Sequence, residues 1–236
     1  MVHNICVNCM TFFDPKSFLK MLSDGVKLDY ESYAVIIAHR SSDPFKLLIM
    51  TILSQNTNDK NAIKAYNNIS SKFNVDAKTL SSIPLETLSE LIKPAGMYIK
   101  RAARIIEVSK IIYERYNGDM NIILNLPCDE ARNTLMLLPG VGAKTADVIL
   151  LFTGKCPTFP VDTHIARVSK RLGIVSANAS YEDIRSAWMK MYEASDYLRL
   201  HLLLIALGRQ FCTARNPKHD VCPVKVMCGF WRSITS

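Results

Sequence analysis

The sequence predicts an all-α protein, and three observations carry that prediction. Apolar residues recur at helical spacing through most of the chain; in "PLETLSELI" positions 85, 88, 91 and 92 fall on one face. Alternating strand patterns are nearly absent. The nine glycines and ten prolines fall mostly at helix ends, not in regularly spaced hairpin turns. With 236 residues, 49% of them hydrophobic, the chain can bury a sizeable core in one large or two small domains without cross-links. No fixed period marks a repeat array.

The helices announce their ends. "DPFKLLIMTIL" starts at Asp43-Pro44, an N-cap followed by a proline at the first helical position. "KRAARIIEVSKIIYERYNG" runs at helical period and stops at Asn117-Gly118. "PCDEARNTLMLL" opens with Pro127 and places two acids in its first turn, where the helix dipole favours them. "SYEDIRSAWMKMY" pairs a Ser180 cap with Asp183, a variant of the capping box. "DYLRLHLLLIALGRQ" is apolar on almost every side and reads as a buried helix.

Lys and Arg outnumber Asp and Glu by 29 to 21, a formal net charge of +8. That favours an anionic partner, nucleic acid before an acidic membrane surface, against the plainer reading of a solubility charge. The N-terminal "MVHNICVNCM" has neither a positive n-region nor a long apolar run, and no stretch approaches the roughly 20 apolar residues of a membrane span. An intracellular protein with no membrane association, in a thiol-reducing compartment, is expected. Of the seven cysteines, Cys128 and Cys156 lack a partner nearby in sequence and read as buried apolar fillers.

The most informative stretch is "LPGVGAKTADVILLFTG", residues 138–154. Leu138-Pro139 closes one helix, Gly140-Val141-Gly142 turns tightly, and a new helix runs from Ala143 to Phe152. The two glycines let backbone N–H groups converge at a helix N-terminus, a ready site for an anion such as a DNA phosphate. A plain corner between two helices is the alternative. Lys144 lies in the first turn of that helix, where the dipole disfavours a cation. The same field is expected to free some neutral amine, which attacks electrophilic carbon and forms Schiff bases. Asp162, eighteen residues on, stands where an N-cap belongs, and one helix with its return loop can bring it back beside Lys144. The simpler roles are a phosphate contact for Lys144 and a cap for Asp162.

Near the end, "CTARNPKHDVCPVKVMC" sets Cys212, His219, Cys222 and Cys228 at C-x6-H-x2-C-x5-C, a metal clamp. A [4Fe-4S] cluster with one imidazole ligand, a Cys3His zinc site, and replacement of His219 by a donor from the Cys6-x2-Cys9 pair are three readings of it.

"LPGVGAKTADVIL", "FPVDTHIARVSKRLG", "LIALGRQFC" and the cysteine group follow one another in the order found in endonuclease III. From about Asp43 to Cys228 the chain resembles that family of helix–hairpin–helix DNA glycosylases. The resemblance implies two helical parts. One is a six-helix barrel over 43–155 carrying the hairpin at 138–154. The other combines 1–42 with 156–236 and carries a cluster loop at 212–228.

It implies a bifunctional DNA glycosylase and abasic-site lyase of base excision repair, acting as a monomer on double-stranded DNA with damaged bases, chiefly oxidised pyrimidines, or abasic sites. The cytoplasm or nucleoid is its expected location. Lys144 falls on the nucleophile and Asp162 on its acidic partner. "LSQNTND" (53–59) matches a loop whose amide fills the hole left by an extruded base; Gln55 and Asn56 straddle that position, with Asn56 the better register. In "GMYIKRAARI" Met97 falls on an apolar wedge beside Tyr98, although a core cluster would also suit the pair. Lys100, Arg101 and Arg104 follow and would serve phosphates.

Gly140 and Gly142 with His164 and Arg167 complete the expected DNA contacts; His164 as a packing or capping residue is the alternative. The family's metal loop has four cysteines at the same spacings, so its length favours the [4Fe-4S] cluster over zinc even with His219 at the second position. The clamp would present Arg215 and Lys218 to phosphates. A glycosylase for uracil or thymine mismatches or another lesion, a non-catalytic helix–hairpin–helix DNA-binding protein, and an electron carrier are the competing functions.

Overall fold

The protein is described here by a computed structural model covering residues 14–39 and 42–235; Cys6 and Cys9 lie outside the described residues. Fourteen α-helices and four short 3-10 turns account for the regular structure among those residues, with no strand. No helix there is long and apolar enough to cross a membrane. The chain divides into two units. Residues up to Leu28 join those from Thr158 onward, and residues 29–157 form the other unit.

The first unit starts with α1 (Pro15–Gly25), capped by Asp14, whose carboxylate accepts from the Ser17 amide at 2.9 Å. It resumes with α11 (Thr163–Leu172), α12 (Tyr181–Met191), α13 (Tyr197–Gln210) and α14 (Gly229–Thr235). Its core is aromatic. Trp188 is fully buried, with the Phe18 and Phe159 rings each 5.9 Å away. The indole N–H is satisfied by the Ser169 hydroxyl at 2.8 Å, as a buried tryptophan requires. The expected capping box at Ser180 and Asp183 forms. In α13 every residue from Leu200 to Gly208 is buried, which accounts for its nearly unbroken apolar run.

The second unit comprises α2 (Ala34–His39), α3 (Pro44–Ser54), α4 (Asp59–Ser70), α5 (Ala77–Ser82), α6 (Leu85–Leu91), α7 (Tyr98–Tyr116), α8 (Asn121–Leu124), α9 (Cys128–Met136) and α10 (Ala143–Phe152). Asp43 caps α3 by accepting from the Phe45 and Lys46 amides. α7 ends where expected, with Asn117 and Gly118 both left-handed at φ 50° and 77°. α3 and α10 form the centre: Leu47 to Leu53 and Thr145 to Phe152 are buried without interruption.

Within α10 the fully buried Asp147 is held by the Arg132 guanidinium of α9 through paired contacts of 2.9 and 3.0 Å. Two donors in a fixed fork make this a strong arrangement for a buried carboxylate. Cys128 and Cys156 correct an expectation: they are not isolated fillers but a disulfide, with Cα atoms 5.5 Å apart. The antiparallel return of α10 against α9 brings the start of one beside the end of the other, which no local sequence pattern reveals.

Candidate functional site

In the second unit three segments surround the start of α10. The hairpin turns at Gly140, left-handed at φ +78°. A Cβ there would stand 1.9 Å from the exposed, flexible end of the Arg104 side chain, which would have to move aside, while the left-handed turn itself calls for glycine. Gly142 is different. It is the N-cap of α10 with ordinary extended backbone, no side-chain cap, and nothing of this chain within 4 Å of where its Cβ would be. Lys144 follows in the first turn, partly buried.

The loop after α3 holds Gln55 and Asn56. Gln55 is partly buried, and its amide nitrogen donates to the Gly140 carbonyl at 2.9 Å and to the Thr145 hydroxyl at 3.3 Å. Its carbonyl accepts from Arg104 at 3.4 Å. This side chain braces the hairpin, and Asn56 is the one that is exposed, with a left-handed backbone at φ 52°. The loop before α7 presents Met97, 62% exposed and left-handed at φ 47°. An unbranched apolar residue is rarely held in that conformation. Its exposure removes the core-cluster alternative for Met97, while Tyr98 stays partly buried with the Lys93 ammonium 5.8 Å from its ring centre.

Arg101 departs from its expected phosphate role. It is 5% exposed, and its guanidinium donates to four backbone carbonyls: Ile52, Gln55 (2.7 Å), Ala95 (3.3 Å) and Gly96 (3.1 Å). Burial, with Arg104 nearby, pushes its pKa below the usual guanidinium value. Sequence reasoning saw only a basic residue in a basic run. The buried position was nevertheless visible in the helical period, since Arg101 precedes Ala102, Ile105 and Val108 on the inner face of α7.

In the first unit Asp162 caps α11, its carboxylate accepting from the Ile165 amide at 2.7 Å. His164 packs so closely on α13 that a Cβ at Gly208 would lie 2.7 Å from its own. Burial pushes its pKa down, opposed by Asp162 and reinforced by Arg167 and Arg209. Arg167 is also committed internally: it donates to the carbonyls of Cys212 (2.7 Å) and Gly208 (3.0 Å) and meets His164 Nδ1 at 3.0 Å. His164 and Arg167 therefore join α11 to the end of α13, where the sequence suggested phosphate contacts.

Cys212, His219, Cys222 and Cys228 line one cavity against Leu172 and Phe211. The His219 ring stacks against Phe230 and Trp231, with centroids 5.5 and 5.3 Å away. Burial raises the Cys222 and Cys228 thiols, and the other cysteines add to the shift. Arg171 was missed by the sequence reading. It donates to the carbonyls of Thr213 (2.7 Å) and Ala214 (3.2 Å), approaches the Cys212 sulfur at 3.4 Å, and lies over the Phe230 ring.

The donor set suits iron–sulfur chemistry: three thiols, a neutral-capable imidazole and a cationic neighbour that offsets thiolate charge.

The helical fold, the glycine turn ahead of a lysine and the cysteine loop together define a helix–hairpin–helix protein of DNA repair. Residues 49–194 match the model of the HhH-GPD superfamily of base excision DNA repair proteins, and residues 212–228 match that of the iron–sulfur binding domain of endonuclease III. Endonuclease III of Sulfolobus acidocaldarius is 32% identical over 212 residues, spanning 89% of this chain and 93% of that one. The Thermotoga maritima enzyme is 35% identical over 194 residues, 82% and 86% of the two chains. Among solved structures, a non-covalent endonuclease III–DNA complex superposes with a TM-score of 0.78 at 29% identity, covering 94% of this chain and 99% of that one. A trapped covalent endonuclease III–DNA intermediate superposes at 0.75 with 26% identity, covering 95% and 100%. The chain belongs to the endonuclease III family of the HhH-GPD superfamily. It is a base excision repair DNA glycosylase, and its cofactor is a [4Fe-4S] cluster.

Proposed function

We propose that this enzyme is a bifunctional glycosylase and abasic-site lyase that removes oxidised pyrimidines from double-stranded DNA, working as a monomer inside the cell. The carrying observation is the placement of Lys144, partly buried, in the first turn of α10 directly behind the Gly140–Gly142 turn. Uncapped amides at that helix start offer hydrogen bonds to a phosphate, which positions the strand without reading its sequence. In its neutral form the Lys144 amine attacks C1′ of the damaged nucleotide. The glycosidic bond breaks toward the base, which leaves with a proton. The sugar ring then opens: the C1′–O4′ bond breaks, O4′ takes a proton, and the nitrogen lone pair forms the C1′=N iminium. That iminium acidifies C2′; loss of the C2′ proton expels the 3′ phosphate by β-elimination, and water hydrolyses the imine to release the sugar from Lys144. Asp162 is assigned to stabilise the cationic sugar and to carry protons.

Asn56 and Met97 are assigned to the space left when the base leaves the stack, and their exposure on left-handed backbone supports this. Borohydride should trap the wild-type enzyme on damaged DNA, and Lys144→Gln should abolish the adduct. Full trapping by that variant would end the assignment. A panel of duplexes carrying oxidised pyrimidines, uracil or mismatched thymine decides the substrate; activity confined to the last two would replace the oxidised-pyrimidine reading.

Cys212, His219, Cys222 and Cys228 are the proposed cluster ligands. The cluster's contribution is to cross-link residues 212–228, a segment with little core of its own, so that Arg215 and Lys218 can meet phosphates. An imidazole in place of a thiolate removes negative charge from the cluster and raises its reduction potential. His219→Cys should lower the potential while keeping iron content. An unchanged potential and an unchanged electron paramagnetic resonance spectrum would show that His219 is not a ligand.

A further inference from the structure

Two loops of the second unit carry exposed residues on left-handed backbone, Asn56 after α3 and Met97 before α7. They lie forty-one residues apart in sequence, yet one side chain serves both. Arg101 Nη2 donates to the Gln55 carbonyl at 2.7 Å, next to Asn56, and to Ala95 at 3.3 Å; Nε donates to the Gly96 carbonyl at 3.1 Å, next to Met97. Nη1 adds the Ile52 carbonyl at the end of α3. The backbone amide of Arg101 also donates to the Met97 carbonyl at 2.9 Å.

Burying a cation beneath exposed loops is costly unless its donors are satisfied, and here four carbonyls satisfy them. Surface loops ordinarily move independently. These two are fastened to one planar fork, and the first is fastened in turn to the hairpin through Gln55.

We propose that Arg101 is a positioning residue that fixes the spacing of the Asn56 and Met97 loops, so that both side chains enter the DNA together when a nucleotide is extruded. This rests on the reading of Asn56 and Met97 as the inserting residues. A lysine at 101 keeps the charge but concentrates three donors at one point, and it cannot span both loops. Arg101→Lys therefore separates charge from clamping. Arg101→Gln, which has no charge to bury, serves as the second variant should the lysine variant fold poorly.

The probe is a duplex with a tetrahydrofuran abasic analogue in one strand and 2-aminopurine opposite it, whose fluorescence rises when that base is unstacked. At saturating protein the wild type should give a large rise. A clamp variant that retains the wild-type helical circular dichroism should slow formation of the unstacked state about tenfold or more, as misplacement by an ångström does elsewhere. Its cleavage of a paired lesion should fall further than its cleavage of a single-stranded abasic oligonucleotide, because only the former needs extrusion.

Met97→Ala should show the same defect, and combining it with the clamp variant should add little, the non-additivity of residues acting as a unit. Wild-type unstacking by folded clamp variants, or equal losses on the two substrates, would overturn the role of Arg101. Wild-type unstacking by both Met97→Ala and Asn56→Ala would instead overturn the insertion reading beneath it.

Discussion

Gly140 and Gly142 sit two residues apart and are needed for different reasons. Gly140 is required by the protein itself, through its φ of +78°. Gly142 meets nothing of this chain within 4 Å of where its Cβ would be, so the fold itself has room for a side chain there. Gly140→Ala should destabilise the fold by about 1–2 kcal/mol, the cost of left-handed backbone for an L residue. Gly142→Ala should leave the urea midpoint nearly unmoved while weakening duplex binding; equal effects of the two on stability would contradict this division. His164 yields a pH prediction. Burial lowers its pKa, so between the folded value and the unfolded value near 6.5 the unfolded chain binds more protons. The corresponding stability is present above that unfolded value and is lost as pH falls below it. His164→Asn should flatten the stability profile on the acid side of about pH 6.5, measured by thermal melts across pH. Residue types were legible in the sequence to this extent: the lysine proposed as nucleophile, the turn glycines and the residues proposed as cluster ligands stood out. Partners did not. Arg167 read as a phosphate contact because nothing within a turn of it reveals the carbonyls of Gly208 and Cys212 that it serves.

At the scale of elements, α9, the turn and α10 form one cross-linked piece. Arg132 and Asp147 join it through a buried ion pair, and Cys128–Cys156 closes it at the open end, 28 residues apart. Arg132→Met removes the paired guanidinium contacts from a fully buried carboxylate and should cost about 3–5 kcal/mol, whereas Arg132→Met with Asp147→Leu should recover much of that loss. The chain-entropy model gives a loop of that length roughly 3–4 kcal/mol of stabilisation. Reductant should accordingly lower the melting temperature of the wild type, and a Cys128→Ser/Cys156→Ser variant should melt lower and ignore reductant. The longer helices were legible because their ends are written locally: Asp43-Pro44, Asn117-Gly118, Ser180 with Asp183. The same grammar was available for α1, where Asp14-Pro15 repeats the Asp-Pro start, and for α4 and α5, capped by Asn58 and Asp76. α2 and α8, with six and four residues, have too few turns for a periodic signal.

For the whole molecule, the net charge of +8 makes non-specific duplex binding electrostatic. Affinity for undamaged DNA should fall steeply, on the order of 10³-fold for six or so phosphate contacts, between about 50 and 200 mM salt. Binding that ignores salt would exclude a phosphate-tracking surface. The sequence by itself determined the all-α class, the places where helices start and stop, the glycine turn with its lysine, and the cysteine-rich loop at 212–228. Caps, dipoles, turn geometry and ligand spacing act over a few residues, so a linear reading reaches them. Only the tertiary structure decided which charges are spent inside. Arg101 clasps two loops, Gln55 braces the hairpin, Arg167 and Arg171 hold the segment that begins at Cys212, and Cys128 finds Cys156. Each of those choices depends on which distant carbonyl, carboxylate or thiol packing brings within about 3 Å, and on desolvation making an unpaired buried group too costly to leave.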